Sequence, residues 1–446
     1  MKYFLDPFGC VKNQVDAENM MACLNNAGWE SVSEAESADL IIVNSCGFIE
    51  SAKQESINAV LEWRKLFPGK KILLAGCLAQ RYAKELEEIL PEADAFMGVE
   101  NFTQIVQIAN KVTVAPATAN TILKPRLSTF NPTGERPLLS LPGSAYVKIS
   151  EGCNNNCSYC AIPLIRGGLV CRSIPDILEE CRALLNRGLK ELCIIGQDIG
   201  AFGKLPELLE TISALEGNFW VRLLYIHPDH FPLPILDIIE RDTRFLPYFD
   251  IPFQHASSKI LAAMNRRGTA EKYLTLIETI RRRLPNSVIR STFLPGFPGE
   301  TDEDFAALCD FQEKAALDWL GCFTYSREEG TAAYSMKGRV SAKTAAARKQ
   351  IIEERQVPIT EKNMDRFTGL TLDVLIEEKI AAVDTSGEDL WLGRLYCQAP
   401  DIDGSAVIVS SFTGNGNEDC KNPQTGALVP CKVIARRGFD LEVCLL

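Results

Sequence analysis

The chain has 446 residues, of which 46% are hydrophobic and 24% charged, and its formal net charge is −11 at pH 7. That length accommodates two or three domains with sizeable cores. No unbroken apolar run of about 18 residues occurs, which excludes a spanning helix. The acidic balance also disfavours non-specific nucleic-acid binding, which rests on phosphate neutralisation by Lys and Arg, and suits a basic partner better.

The start, Met1-Lys2-Tyr3-Phe4-Leu5-Asp6-Pro7, meets polar residues and a proline too early for a signal peptide. A cytoplasmic location is therefore expected. In that reducing setting the sixteen cysteines point to metal binding or catalysis rather than to disulfides.

Residues 1–110 alternate strand-like and helix-like segments. Asp39–Asn44 and Lys71–Ala75 are short apolar runs of buried-strand type, and helical patterns cover Gln14–Ala27, Ile49–Leu66 and Leu78–Leu90. The alternation predicts parallel βαβ units. Cys10, Cys46 and Cys77 each fall where a strand ends and the next helix begins, 36 and 31 residues apart. In open α/β sheets ligands bind beyond the carboxyl ends of the strands. The three thiols either meet there on one cluster or each pack beside their own strand.

Residues 111–143 carry Pro116, Pro125, Pro132, Pro137 and Pro142 in a polar stretch and read as an interdomain linker. Then comes the most informative run of the chain, Glu151-Gly152-Cys153-Asn154-Asn155-Asn156-Cys157-Ser158-Tyr159-Cys160. Structural zinc takes four closed ligands, and ferredoxin-type runs carry a fourth cysteine. Three cysteines at this spacing suit a cubane iron–sulfur cluster with one iron left open.

Between residues 144 and 368 six strand-like runs are expected: Ala145–Ile149, Glu191–Ile195, Trp220–Tyr225, Phe249–Ile251, Val288–Phe293 and Gly321–Thr324. They alternate with helical patterns at Pro175–Arg187, Pro206–Leu215, Ser258–Met264, Ala270–Leu284 and Glu303–Ala316. This predicts a partial (βα)6 barrel with its chemistry at the strands' C-terminal mouth. A charged helix, Ser341–Arg355, is expected to stop before Pro358. Residues 369–446 change character, with strands at Leu370–Ile376, Leu390–Tyr396, Ala406–Ser410 and Lys432–Ile434, and predict a small antiparallel β-barrel. Over residues 371–446 twelve acidic and six basic side chains give a net charge of −6, so this barrel lacks a basic nucleic-acid footprint. The fold class is thus α/β, with an N-terminal parallel sheet, a central partial barrel and a C-terminal small barrel.

The cysteine loop with its aromatic Tyr159 resembles the signature of radical S-adenosylmethionine enzymes. With Cys10, Cys46 and Cys77 on an N-terminal α/β domain and a terminal barrel of TRAM type, the whole chain is similar to the methylthiotransferase family. Within it, Gly9-Cys10-Val11-Lys12-Asn13, Leu224–His230, Ile251–Ser257, Met264–Gly268 and Tyr325–Thr331 resemble the subgroup that modifies an aspartate of small-subunit ribosomal protein S-twelve. Two departures stand out. The run Arg166-Gly167-Gly168-Leu169-Val170-Cys171-Arg172 is apolar at two positions where that subgroup is basic, and Phe253 replaces Leu.

The resemblance implies two 4Fe–4S clusters, one on Cys153, Cys157 and Cys160 and one on Cys10, Cys46 and Cys77. The first would bind S-adenosylmethionine and generate a deoxyadenosyl radical; the second would carry the sulfur to be inserted. Tyr159, Gln197 and Thr292 are the implied cofactor-binding residues. The implied partners are a basic protein substrate and an electron donor, with no membrane and no primary role for RNA. A transfer RNA adenosine methylthiotransferase and a non-catalytic iron–sulfur electron carrier remain the alternatives. Among other residues, Gly296-Phe297-Pro298-Gly299 is either a close approach to cofactor or a turn. His227, His230 and His255 either touch substrate or, as is commoner, are hydrogen-bonded structural groups; Arg266-Arg267 reads as a solvated face in preference to an acid-binding patch, and the remaining ten cysteines as packing residues.

Overall fold

The computed structural model describes residues 1–99, 102–114, 135–380, 390–409 and 423–446. It comprises two compact units. The first holds residues 1–139, 146–183 and 326–335; the second holds 140–145, 184–325 and 336–446.

The first unit is built on β1 (Lys2–Pro7), α1 (Val11–Asn26), β2 (Glu30–Ser31), β3 (Leu40–Ser45), α2 (Glu50–Leu66), β4 (Lys71–Gly76), α3 (Cys77–Ile89), β5 (Ala95–Met97) and α4 (Gln104–Val114). The strands form one parallel sheet in the order β2-β1-β3-β4-β5. Their apolar runs are continuous because both faces are covered. Tyr3, Leu5, Leu40, Ile42, Leu73 and Ala75 point to one side, against α1 and α4. Ile41, Val43, Ile72 and Leu74 point to the other, against α2 and α3. The register sets Asn44 opposite both Pro7 and Ala75, so β1, β3 and β4 end level. Everything that follows those three ends is delivered to one edge of the sheet.

The unit continues with β6 (Ser144–Lys148), β7 (Ser150–Glu151), α5 (Ile162–Arg166), β8 (Val170–Cys171) and α6 (Ile174–Asn186). The expected linker lies partly outside the described residues. Its far end is not loose: Arg136 is fully buried, and its guanidinium donates to Glu18 Oε2 at 2.8 Å, Glu180 Oε1 at 2.5 Å and the Tyr146 carbonyl at 2.6 Å.

In the second unit β9 (Glu191–Ile195), α7 (Leu205–Ser213), β10 (Trp220–Leu223), α8 (Ile235–Arg241), β11 (Phe245–Asp250), α9 (Ser258–Ala263), α10 (Ala270–Arg283), β12 (Val288–Phe293), α11 (Asp302–Ala315) and β13 (Trp319–Cys322) alternate along the chain. The sheet order is β13-β12-β11-β10-β9-β6, and β6 begins in this unit. The sheet is open, as expected of a partial barrel.

α12 (Ala342–Asp365) corrects one expectation, because it runs straight through Pro358. The missing backbone donor is outweighed by side-chain anchors on the same stretch: Gln356 donates to the Leu317 carbonyl at 2.8 Å and Thr360 to the Asp318 carbonyl at 2.8 Å. The terminal strands β14 (Thr371–Ile380), β15 (Leu390–Leu395), β16 (Ala406–Ile408), β17 (Leu428–Arg437) and β18 (Asp440–Leu445) close a barrel in the order β14-β15-β16-β18-β17. It is not wholly antiparallel, since β16 and β18 pair in parallel. Ser410, expected at the end of β16, lies outside the described residues.

Candidate active site

Cys10 is the N-cap of α1, Cys46 follows β3, and Cys77 opens α3. Two glycines let the three turns touch. A Cβ on Gly9, whose φ is +92°, would lie 3.1 Å from Cys46 Cβ. One on Gly47 would lie 2.7 Å from the Cys77 carbonyl oxygen. No side chain fits at either place without moving backbone or a neighbouring cysteine.

Asn13 ties these turns together. Its Nδ2 donates to the carbonyls of Phe8 at 3.0 Å and Ser45 at 2.8 Å, while its Oδ1 lies 3.3 Å from Cys77 Sγ. Asn44 Nδ2 in turn donates to the Asn13 carbonyl at 2.8 Å.

The second triplet lies in the same unit. The Cys160 N–H donates to the Cys157 carbonyl at 3.1 Å, the Cys153 N–H to the Gly167 carbonyl at 3.1 Å, and the Asn155 N–H to Cys153 Sγ at 3.4 Å. Ala161 and Ile165, which follow Cys160, share one buried apolar cluster with Cys77 and Val99. The segment 326–335 backs the loop, with the Ala333 N–H donating to the Ser158 carbonyl at 2.8 Å. Its Glu328 accepts from Lys53 at 3.1 Å, Arg81 at 2.7 Å and Ser326 at 2.6 Å.

Between the two triplets lies Arg166, with a side chain 1% exposed. Its Nη2 reaches Cys77 Sγ at 3.2 Å, Asn13 Oδ1 at 2.9 Å and Asp16 Oδ2 at 2.8 Å. Its Nη1 reaches both oxygens of Glu151 at 3.0 Å, two residues before Cys153. Lys148 donates to the same two carboxylates, at 2.5 Å to Asp16 and 2.7 Å to Glu151.

These charges shape the thiols. Cys10 is exposed; nearby atoms partly desolvate its sulfur, which would raise it, but Lys12, Arg166 and neighbouring backbone N–H groups outweigh that and hold the thiol below its usual value. Burial pushes Cys46 up and Cys77 up to about 12, with Arg166 opposing. Burial would also raise Glu151, yet Arg166 and Lys148 hold it well below the usual carboxylate range.

Among the described residues no three His, Cys, Asp or Glu converge on a single ion position. Three clustered thiols, a buried cation on their sulfur, and space denied to side chains by glycine fit an anionic iron–sulfur group.

The other expected residues distribute unevenly. Tyr159 is half-buried within the cysteine loop. Gln197 and Thr292 are half-buried in the second unit, one just beyond the end of β9 and the other on β12, and those strands are not neighbours. The histidines are hydrogen-bonded as expected: His227 Nδ1 accepts from the Asp229 N–H at 3.2 Å, His230 Nδ1 lies 2.9 Å from Asp198, and His255 Nδ1 accepts from the Ser257 N–H at 3.0 Å. Arg266 is a correction. It is buried rather than solvated, because Asn265, with φ at +60°, turns the chain after α9, and the guanidinium donates to the Pro252 carbonyl at 2.7 Å. Arg267 is exposed. Of the remaining described cysteines, Cys181, Cys193, Cys322, Cys397, Cys431 and Cys444 are buried, Cys23 and Cys309 intermediate and Cys171 exposed, so the packing expectation fails at Cys171. Cys420 lies outside the described residues. Sequence reading singled out neither Asp16, Lys148 nor Glu151; the proximity of Glu151 to Cys153 was the one available signal.

Family models match along the chain: residues 2–98 match the uncharacterized protein family UPF0004, 147–311 the radical SAM superfamily, and 368–445 the TRAM domain. A ribosomal protein uS12 methylthiotransferase RimO from Treponema denticola is 47% identical over 98% of this chain and 99% of its own length. The chain belongs to the RimO family of radical SAM methylthiotransferases. RimO proteins from Syntrophomonas wolfei, 41% identical over 97% of both chains, and Aquifex aeolicus, 38% identical over 99% of this chain and 96% of that one, agree. Among solved structures, the radical S-adenosylmethionine methyltransferase TsrM from Kitasatospora setae shares the fold, with a TM-score of 0.55, 14% identity, and coverage of 74% of this chain and 73% of that one. Among the described residues no helix is long and apolar enough to cross a membrane.

Proposed function

We propose that this chain is a radical S-adenosylmethionine enzyme that inserts sulfur and a methyl group at the β-carbon of an aspartate of ribosomal protein uS12. The observation that carries this reading is the pair of cysteine triplets in one compact unit, joined through Arg166 and a shared apolar cluster. Cys153, Cys157 and Cys160 hold one 4Fe–4S cluster, and Cys10, Cys46 and Cys77 hold a second. When bound, these clusters and S-adenosylmethionine supply the one-electron cleavage, hydrogen abstraction and sulfur delivery that no side-chain acid or base can perform. The chain itself supplies ligands and neutralises their charge, and it buries Cys77. Tyr159, Gln197 and Thr292 take part in binding S-adenosylmethionine.

The substrate is a basic protein and the terminal barrel is acidic, which favours protein over RNA as the primary partner. The enzyme works in the cytoplasm with a separate electron donor. The test is reconstitution under anaerobic conditions with iron, sulfide, a strong reductant, S-adenosylmethionine and uS12. Deoxyadenosine and a methylthio mass shift on uS12 are expected. Intact clusters without deoxyadenosine would remove the enzymatic reading; deoxyadenosine with a modified transfer RNA and unmodified uS12 would move the activity to the other substrate class.

A further inference from the structure

Arg166 is a buried cation whose Nη2, with two N–H groups, is shared among Asp16, Asn13 and the Cys77 sulfur, while its Nη1 goes to Glu151. Lys148 is equally deep but contacts the two carboxylates only. Arg166 and Lys148 are balanced by Asp16 and Glu151, while Lys12 acts on Cys10; what Arg166 adds at Cys77 is directional, a shared Nη2 N–H that reaches a buried sulfur. We propose that Arg166 is a positioning residue that raises the reduction potential of the cluster held by Cys10, Cys46 and Cys77, acting through the Cys77 sulfur. This rests on the cluster assignment above.

The physical reason is charge. Reduction adds one electron from an external reductant and breaks no bond, and the added negative charge spreads over the cluster and its ligating sulfurs. A hydrogen bond from a guanidinium stabilises the reduced form more than the oxidised one, and hydrogen bonds to sulfur are among the terms that set such potentials. The apolar neighbours Val99, Ala161 and Ile165 keep solvent from screening the contact. The carboxylate partner of Arg166, Glu151, lies on the approach to the other triplet, so the same guanidinium also fixes the chain that leads to Cys153.

The experiment is an EPR-monitored titration with dithionite, and it needs neither uS12 nor S-adenosylmethionine. The full chain carrying C153A, C157A and C160A retains only the cluster at Cys10, Cys46 and Cys77. In that background Arg166→Met should lower the reduction equilibrium constant at least tenfold, a shift of about 59 mV for one electron. Arg166→Lys keeps a charge but lacks the planar fork that spans Cys77, Asp16 and Glu151 together, and should shift it by less. In the converse background, C10A, C46A and C77A, Arg166→Met should shift the other cluster's potential by less, since the sulfur it reaches is that of Cys77. A full complement of iron with an unaltered potential overturns the proposal, as does an equal shift of both clusters. If Arg166→Met fails to retain iron, Arg166→Lys decides: a potential equal to that of the parent overturns the proposal, and a smaller downward shift supports it. If the parent background forms no cluster at all, the ligand assignment falls and this inference falls with it.

Discussion

Each unit buries ionic networks, and one in the first unit, around Arg166, reaches a cysteine sulfur. In the second unit Glu191 accepts from Arg394 at 2.6 Å, Arg222 at 2.7 Å and Ser144 at 2.7 Å, while Glu377 accepts from Arg394 at 2.6 Å. Burial would raise Glu191, but Arg394 and Arg222 hold it well below the usual range. Those contacts join β15 of the small barrel to β9 and β10 of the sheet, and the guanidinium bonds of Arg394 go to Glu191, Glu377, Ser144 and the Gln398 carbonyl. In the first unit Arg166 Nη2 is shared among Asp16, Asn13 and the Cys77 sulfur. Buried charge alone therefore does not mark a functional site; what distinguishes the network around Arg166 is that it reaches a sulfur.

The largest effect expected from breaking this contrast is on the thiol side. Cys77→Ala should abolish methylthiolation and cut bound iron by about half, since one 4Fe–4S cluster of two is lost. Iron analysis and absorbance after anaerobic reconstitution measure it, and a full iron complement would dissolve the distinction between the networks. Next, Arg394→Met leaves Glu377 and part of Glu191 buried without a partner. A loss of about 3–5 kcal/mol in urea unfolding is expected, with iron content per folded chain unchanged. A loss below 1 kcal/mol would show the second network to be dispensable.

A third prediction uses pH. Asp403 in the second unit accepts from Tyr248 and from the Ala399 N–H, but burial dominates and pushes its carboxyl up to about 6, with Arg290 and Tyr248 only partly opposing. The folded value lies above the unfolded one of about 3.9. Its contribution to stability is thus complete below that unfolded value and is lost as pH rises through 6. About two units correspond to at most ~3 kcal/mol. Unfolding free energies of the parent and Asp403→Asn, compared at pH 4.5 and 7.5, should converge or cross in favour of the variant at the higher pH. A difference independent of pH would show Asp403 to be as well compensated as Glu191. The smallest effect belongs to Glu328→Gln, a buried carboxylate of the first unit that contacts no thiol. About 1–2 kcal/mol of stability should go while bound iron stays; a parallel loss of iron would extend the functional network to that residue.

Much of this was legible in the chain. The runs at residues 39–44 and 71–75 are apolar on both faces, which only a two-sided parallel sheet explains, and cysteines placed just after such strands must reach its carboxyl edge. The loop from Cys153 to Cys160 announces itself by spacing. The contacts that join the triplets do not. Arg166 and Cys77 stand 89 residues apart, Lys148 and Asp16 132 apart, and ion pairs leave no periodic trace in a sequence. Pro358 was misleading for a related reason: the local rule against proline in a helix was overridden by Gln356 and Thr360, whose acceptors lie about 40 residues upstream.

The parallel pairing of β16 with β18 has a consequence for recognition. It closes the terminal barrel, so each of that barrel's described strands is paired on both sides, leaving no open barrel edge among them to which a partner could add a strand. Those strands present side chains, not backbone, to a partner. With twelve acidic and six basic residues over 371–446, that encounter should weaken with added salt in the manner of a charge-steered contact, not persist as an extended β-sheet would.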